Sequence, residues 1–295
     1  MAVSSKFILQ QGPLLGALAK TAATAAMQQV FPQERGMPVT PGPEFSATLP
    51  PRSAELVKAY VKHVGGEPSS YRGEVPAHLF PQWSFVLASK TLADIPYPLM
   101  KVMNGGCRLE LRAPLPAGEP LQVRAQLKSI DDDGSRAVLH QHVVTGTESS
   151  PDAVIADLYA IVPLGRKSGK GKKKEKPCVP HSAKELAYWK IGPDAGLDFA
   201  KLTGDFNPIH WVPMHAKAFG FKNTILHGFS TMARAIEGLN RTVFLNGTSL
   251  KSIDAQFVRP LVLPAKVGLY RDGDQVYVGT APGGPVFMKA TIETH

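Results

Sequence analysis

What most constrains this chain is an order of local patterns that occurs twice: apolar helical stretches followed by alternating strands, once before a lysine-rich block and once after it. In the first half, Leu56, Tyr60 and Val64 recur at helical spacing behind a Ser53 cap and stop at Gly65-Gly66. A second helical stretch, Phe80 to Leu92, carries Trp83, Val86, Leu87 and Thr91 and is apolar enough to be buried. Strand patterns follow at Cys107 to Arg112, Leu121 to Ile130, Ala137 to Val144 and Val154 to Val162, separated by Pro-Ala-Gly, Asp-Asp-Gly and Ser-Ser-Pro-Asp turns. Beyond the block, helical stretches at Leu197 to Leu202 and Gly228 to about Phe244 precede strands at Ser252 to Val258, Ala265 to Arg271, Gln275 to Thr280 and Val286 to Ile292. Helices grouped ahead of antiparallel strands predict an α+β fold, and the repeated order predicts a duplicated architecture without visible sequence repeat.

The block itself, Gly165 to Pro177, holds Arg166, Lys167, Lys170, Lys172, Lys173, Lys174 and Lys176 against Glu175, which is seven minus one, or +6 of the chain's +9. The remaining +3 is too little to suggest a basic nucleic-acid surface, and a block of like charges reads as a solvated linker. Its Gly165, Gly169 and Lys170 miss the phosphate-loop spacing by one residue, and Gly171 stands where Ser or Thr is needed. At 295 residues the chain has room for two ordinary domains. Its two cysteines, Cys107 and Cys178, form no CxxC, which fits a reducing compartment and a cytoplasmic protein.

The N-terminal thirty residues, with Lys6, Lys20 and no acid before Glu34, are faintly similar to a transit peptide. The apolar run Pro13 to Ala19 is too short to span a membrane, and an amphipathic helix packed on the domain is the preferred reading. Pro38, Pro41, Pro43, Pro50 and Pro51 then mark an extended, non-helical connector.

Chemistry concentrates in L-T-G-D-F-N-P-I-H, Leu202 to His210, which sets Asp205, Asn207 and His210 within six residues. The Asn-Pro pair bars a helix interior there, because proline lacks the backbone donor and restricts the residue before it. The result is a bent polar loop between apolar flanks, with a helix start at Gly228 to follow. An acid, a base and a backbone donor meet the first requirements of an active site. Each residue alone also has a plain structural reading: Asp205 capping a turn, Asn207-Pro208 forming one, His210 a satisfied polar residue, His227 packing at the helix entry, His215 on the surface. A metal held by Asp205, His210 and His215 has suitable donors but no H-E-x-x-H arrangement, so none is expected. Ser230 lacks a G-x-S-x-G elbow, and no dinucleotide fingerprint is present.

The run Phe199 to His210, with Ala216, Phe219-Gly220-Phe221, Ile225-Leu226-His227-Gly228 and Phe257 to Pro264, resembles the MaoC-like (R)-specific enoyl-CoA hydratases. These motifs cover roughly the last third of the chain. The resemblance implies a hotdog fold, a long helix wrapped by an antiparallel sheet, in its double form. It divides the chain into an N-terminal helix and Pro-rich connector (1–44), a degenerate first hotdog that helps shape the acyl pocket (45–165), a Lys-rich linker (166–180) and a catalytic hotdog (181–295). The implied reaction is reversible hydration of trans-2-enoyl thioesters to (R)-3-hydroxyacyl thioesters carried on coenzyme A or an acyl carrier protein. Asp205 and His210 would move the protons, Asn207 hold the water and the Gly228 N–H hold the oxyanion, with no cofactor and no metal. Expected partners are the acyl thioester carrier alone, with no nucleic acid and no membrane span, and the pseudo-dimer is free to pair into a homodimer. A hotdog thioesterase and a non-catalytic acyl-binding or assembly module are the alternatives.

Overall fold

The computed structural model describes residues 2–12, 16, 36–93, 95–98, 102–165, 177–245 and 247–295. The apolar run Pro13 to Ala19 and the lysines of 166–176 therefore lie almost wholly outside the described residues. The described residues form ten strands and five α-helices: β1 (Glu44–Leu49), α1 (Ala54–His63), α2 (Pro81–Thr91), β2 (Met103–Leu111), β3 (Leu121–Asp132), β4 (Arg136–Gly146), β5 (Val154–Pro163), β6 (Lys184–Ile191), α3 (Ala195–Thr203), α4 (Pro213–Ala218), α5 (Gly228–Thr242), β7 (Leu250–Phe257), β8 (Ala265–Asp272), β9 (Gln275–Gly279) and β10 (Val286–Thr294).

All ten strands join one antiparallel sheet in the order β1-β3-β4-β5-β2-β7-β10-β9-β8-β6. Read from its outer edge, each half has the same connectivity: first strand, third, fourth, fifth, second. The two five-stranded units meet where β2 pairs with β7, Cys107 opposite Ala255 and Leu109 opposite Ile253. This is the duplicated architecture that the repeated order predicts, and the double hotdog that the family resemblance implies.

Period-two patterning decides which sheet face is buried. Along β3, Leu121, Val123, Ala125 and Leu127 are buried while Gln122 and Arg124 are exposed. Against the buried faces lie the two hotdog helices, α2 over β1, β3 and β4 and α5 over β6, β7 and β10. Trp83 fixes α2 by donating its indole N–H to Thr145 Oγ1 at 3.0 Å. Met232, Ala235, Ile236 and Leu239 of α5 are buried, each large side chain contributing about 1.5–3 kcal/mol.

Several elements escape the sequence patterns, the short helix α4 among them. Inside the proline-rich connector, β1 pairs with β3, Phe45 opposite Ala125, so the connector ends as an edge strand. The β6 segment lacks a clear alternation and carries few buried residues, as an edge strand pairing only with β8 does. The described part of the expected N-terminal helix is a 3-10 helix, Ser5–Gln11, with Phe7 and Gln11 buried. Gln11 donates to Leu202 O at 3.1 Å, tying this segment to α3. Among the described residues, no helix is long and apolar enough to cross a membrane.

Candidate active site

The polar loop begins where α3 stops. Gly204 caps that helix in the left-handed region (φ +82), donating its N–H to Ala200 O at 2.7 Å, a conformation that a side chain would strain. The chain then turns through Asp205 and Phe206 into the one-turn 3-10 helix Pro208–His210. Asn207 caps that turn: its Oδ1 accepts from the Ile209 N–H at 3.3 Å, and Pro208 occupies a first position needing no donor.

The loop is latched to the segment leading into α5. Ile225 donates its N–H to Ile209 O at 3.2 Å, and His210 Nδ1 lies 2.8 Å from Ile225 O. A carbonyl only accepts, so Nδ1 carries the proton and the neutral ring keeps its lone pair on Nε2. Burial lowers the His210 pKa, with the Asp205 charge and the Ile225 bond opposing, so the neutral ring is favoured near neutral pH. His227 makes the second latch, its Nε2 2.9 Å from Asp205 O, and its ring stacks on His210 at 3.6 Å between centroids.

Donor atoms of Asp205, His210 and His227 all lie within 4.8 Å of one another. A water about 2.8 Å from each of two groups spans roughly 4.6 Å at the tetrahedral angle, so Asp205 and His210 are spaced to share one. The trio suits a water better than an ion. His210 Nδ1 and His227 Nε2 are occupied by carbonyls, and the two rings, 24° from parallel, do not aim their remaining lone pairs at one point. His215, a member of the metal set considered from sequence, instead packs its ring on Phe219 at 4.7 Å, and His227 takes the place beside Asp205 and His210.

These groups line the wall of a cavity of about 1020 Å³. Gly228, the first residue of α5, opens onto it with an N–H that the helix cannot use internally. A Cβ at Gly228 would come within 2.8 Å of the Phe257 ring, so only glycine lets the helix start so close to the sheet. The first half supplies much of the apolar wall, including Phe85, Val102 and Ile161. Asp205, His210, Asn207 and Gly228, singled out from sequence, are thus brought to one cavity. Asn207 is the partial exception, because its Oδ1 is committed to the turn. His227 is the residue whose part sequence reasoning missed: read as packing at the helix entry, it also bonds the backbone of Asp205.

A family model described as MaoC-like domain matches residues 176–271. Among curated proteins, the chain is 27% identical over 194 residues to 3-hydroxyacyl-thioester dehydratase X of Mycobacterium tuberculosis, covering 64% of this chain and 66% of that one. It is 25% identical over 227 residues to mouse peroxisomal multifunctional enzyme type 2, covering 71% of this chain and 30% of that protein. The chain thus spans less than two thirds of the length of these relatives. Among solved structures, HtdX of Mycobacterium tuberculosis superposes with a TM-score of 0.69 at 20% identity, over 85% of this chain and 99% of that one, a likeness of fold. With the loop geometry and the paired five-stranded units, these findings give the chain its place: it carries a domain of the MaoC-like family, at residues 176–271, within a double hotdog.

Proposed function

We propose that the protein reversibly hydrates trans-2-enoyl thioesters to 3-hydroxyacyl thioesters. The observation that carries this reading is His210, held with Nε2 unprotonated and a ring nitrogen within 4.8 Å of an Asp205 donor oxygen, on the wall of an apolar cavity. Hydration needs a base for water, an acid for the α-carbon and donors for the charge that builds on the thioester oxygen. One water between Asp205 and His210 supplies both parts of the addition. Its oxygen bonds to the β-carbon as its proton passes to the pair, and the pair returns a proton to the α-carbon. The electron pair of the double bond becomes the enolate and then the new C–H bond, so both residues end as they began. In the reverse direction the same groups expel water.

The Gly228 N–H, at the positive end of α5, is the proposed enolate donor. Delivery of both fragments from one water is syn, and likeness of the loop to that of (R)-specific hydratases supports an (R)-3-hydroxy product. The apolar wall suits an acyl chain, with coenzyme A or an acyl carrier protein as its handle. The names of the relatives, a 3-hydroxyacyl-thioester dehydratase and probable enoyl-CoA hydratase 2 of Dictyostelium discoideum, support the same chemistry.

The test is purified protein with trans-2-enoyl-CoA substrates of increasing chain length. The expected result is loss of enoyl absorbance with an (R)-3-hydroxyacyl product and no free thiol. Thiol release without hydration would instead mark a thioesterase, and no reaction with any chain length would leave a binding module. Gly228→Ala is expected to lower kcat by about 100-fold, the usual cost of disturbing an oxyanion donor. Because the clash is with Phe257, Gly228→Ala/Phe257→Leu should recover part of that loss, read from kcat of the single and double variants.

A further inference from the structure

His227 is 1% exposed and stands at the N-cap of α5, immediately before Gly228. Its Nε2 faces a carbonyl, the main-chain oxygen of Asp205 at 2.9 Å, so Nε2 carries the proton. One face of the ring covers His210 at 3.6 Å, and Phe199, fully buried, lies 4.8 Å away. Its Nδ1 is buried with no hydrogen-bond partner among the described residues. Protonating Nδ1 would bury a charged N–H without an acceptor, stacked against a second imidazole. Burial first, then the His210 charge, accordingly push its pKa well down. The ring is therefore a fixed neutral donor, and parallel stacking keeps its lone pair from serving the same reacting atom as His210.

We propose that His227 is a positioning residue for the hydration reaction: its N–H holds the Asp205 backbone and its uncharged ring fixes the plane of His210, so that one water meets both groups. The inference rests on the hydratase reading and goes beyond it by assigning a task to a histidine that exchanges no proton with substrate. Its neutrality matters when His210 takes the proton of water, because a second imidazolium at stacking distance would oppose that transfer.

Two variants separate the two contacts. His227→Phe keeps a ring against His210 and loses the donor; His227→Gln keeps an amide N–H near the Nε2 position and loses the ring. With native circular dichroism in both, kcat for crotonyl-CoA is expected to fall about 100-fold in His227→Phe, the scale on which misplacement of a catalytic group by about 1 Å acts. KM should stay within about two-fold, as for an interaction that matters only in the transition state. The conservative His227→Gln should recover at least about ten-fold of the loss. An unchanged kcat in His227→Phe or equal losses in both variants would overturn the proposal while leaving hydratase activity in place. Imidazole NMR of the wild type decides the matter even if no enoyl substrate turns over. His227 should keep its Nε2–H tautomer and show no titration across the ordinary histidine range. An ordinary titration would overturn the inference whatever the activity.

Discussion

His210→Ala is expected to cut hydration turnover by about 100- to 10,000-fold, the usual worth of one positioned proton-transfer group. Asp205→Asn should do the same. The double variant should be scarcely worse than either single one, because both groups act on one water and such losses do not add. Folding should survive. His210 loses one hydrogen bond, to Ile225 O, worth about 1 kcal/mol, which in a chain of this size moves the melting temperature by roughly 2 °C. Wild-type activity should fall as pH drops through the His210 pKa, which burial holds below the ordinary 6.5, because protonation removes the Nε2 lone pair. Enoyl absorbance followed across pH checks all of this, and full turnover in both single variants would end the assignment.

Much of this site was legible in the sequence because its geometry is local. The Gly-Asp and Asn-Pro pairs force a loop whatever surrounds it, and six residues of chain cannot carry Asp205 and His210 far apart. The fold was legible for a related reason, since Leu121, Val123, Ala125 and Leu127 on one face of β3 write the strand into alternate positions. What was not legible depends on pairing at a distance. The Glu44–Leu49 strand is short and hidden among prolines, and only its partner β3 makes it a strand. The part played by His227 could not be read from spacing: its contact to the Asp205 backbone spans 22 residues and is set by the helix start at Gly228. His215 shows the reverse. Nearness along the chain made it a candidate donor, and the direction of α4 turned it onto Phe219.

The largest loss of stability is expected far from the cavity, at Glu237 on α5. This carboxylate is buried in the apolar core where the two halves meet, and it accepts from Tyr71 Oη at 2.8 Å and pairs with His78 Nε2 at 3.0 Å. Tyr60 gives its hydroxyl proton to His78 O at 2.7 Å, and its oxygen lies 3.1 Å from His78 Nδ1. His78 Nε2 is the ring nitrogen that faces the carboxylate. Burial raises the Glu237 pKa, but His78, Tyr71 and Asn240 outweigh it and the net shift is downward. The carboxylate therefore contributes stability that is complete above its ordinary value of 4.5 and is lost as pH falls through the lowered folded value. Glu237→Ala leaves the buried donors of Tyr71 and His78 without their acceptor, which typically costs about 1–3 kcal/mol for each, or roughly 5 °C in melting temperature for a chain this long. Replacing the pair together, Glu237→Met with His78→Leu, should recover most of that loss, because the buried imidazole donor goes with its acceptor. Thermal melts of the three proteins test this, and an unchanged melting temperature in Glu237→Ala would mean that the pair does not hold the halves together. The same helix begins at Gly228, so a weakened clamp should also lower kcat in the destabilised variant and spare it in the double one.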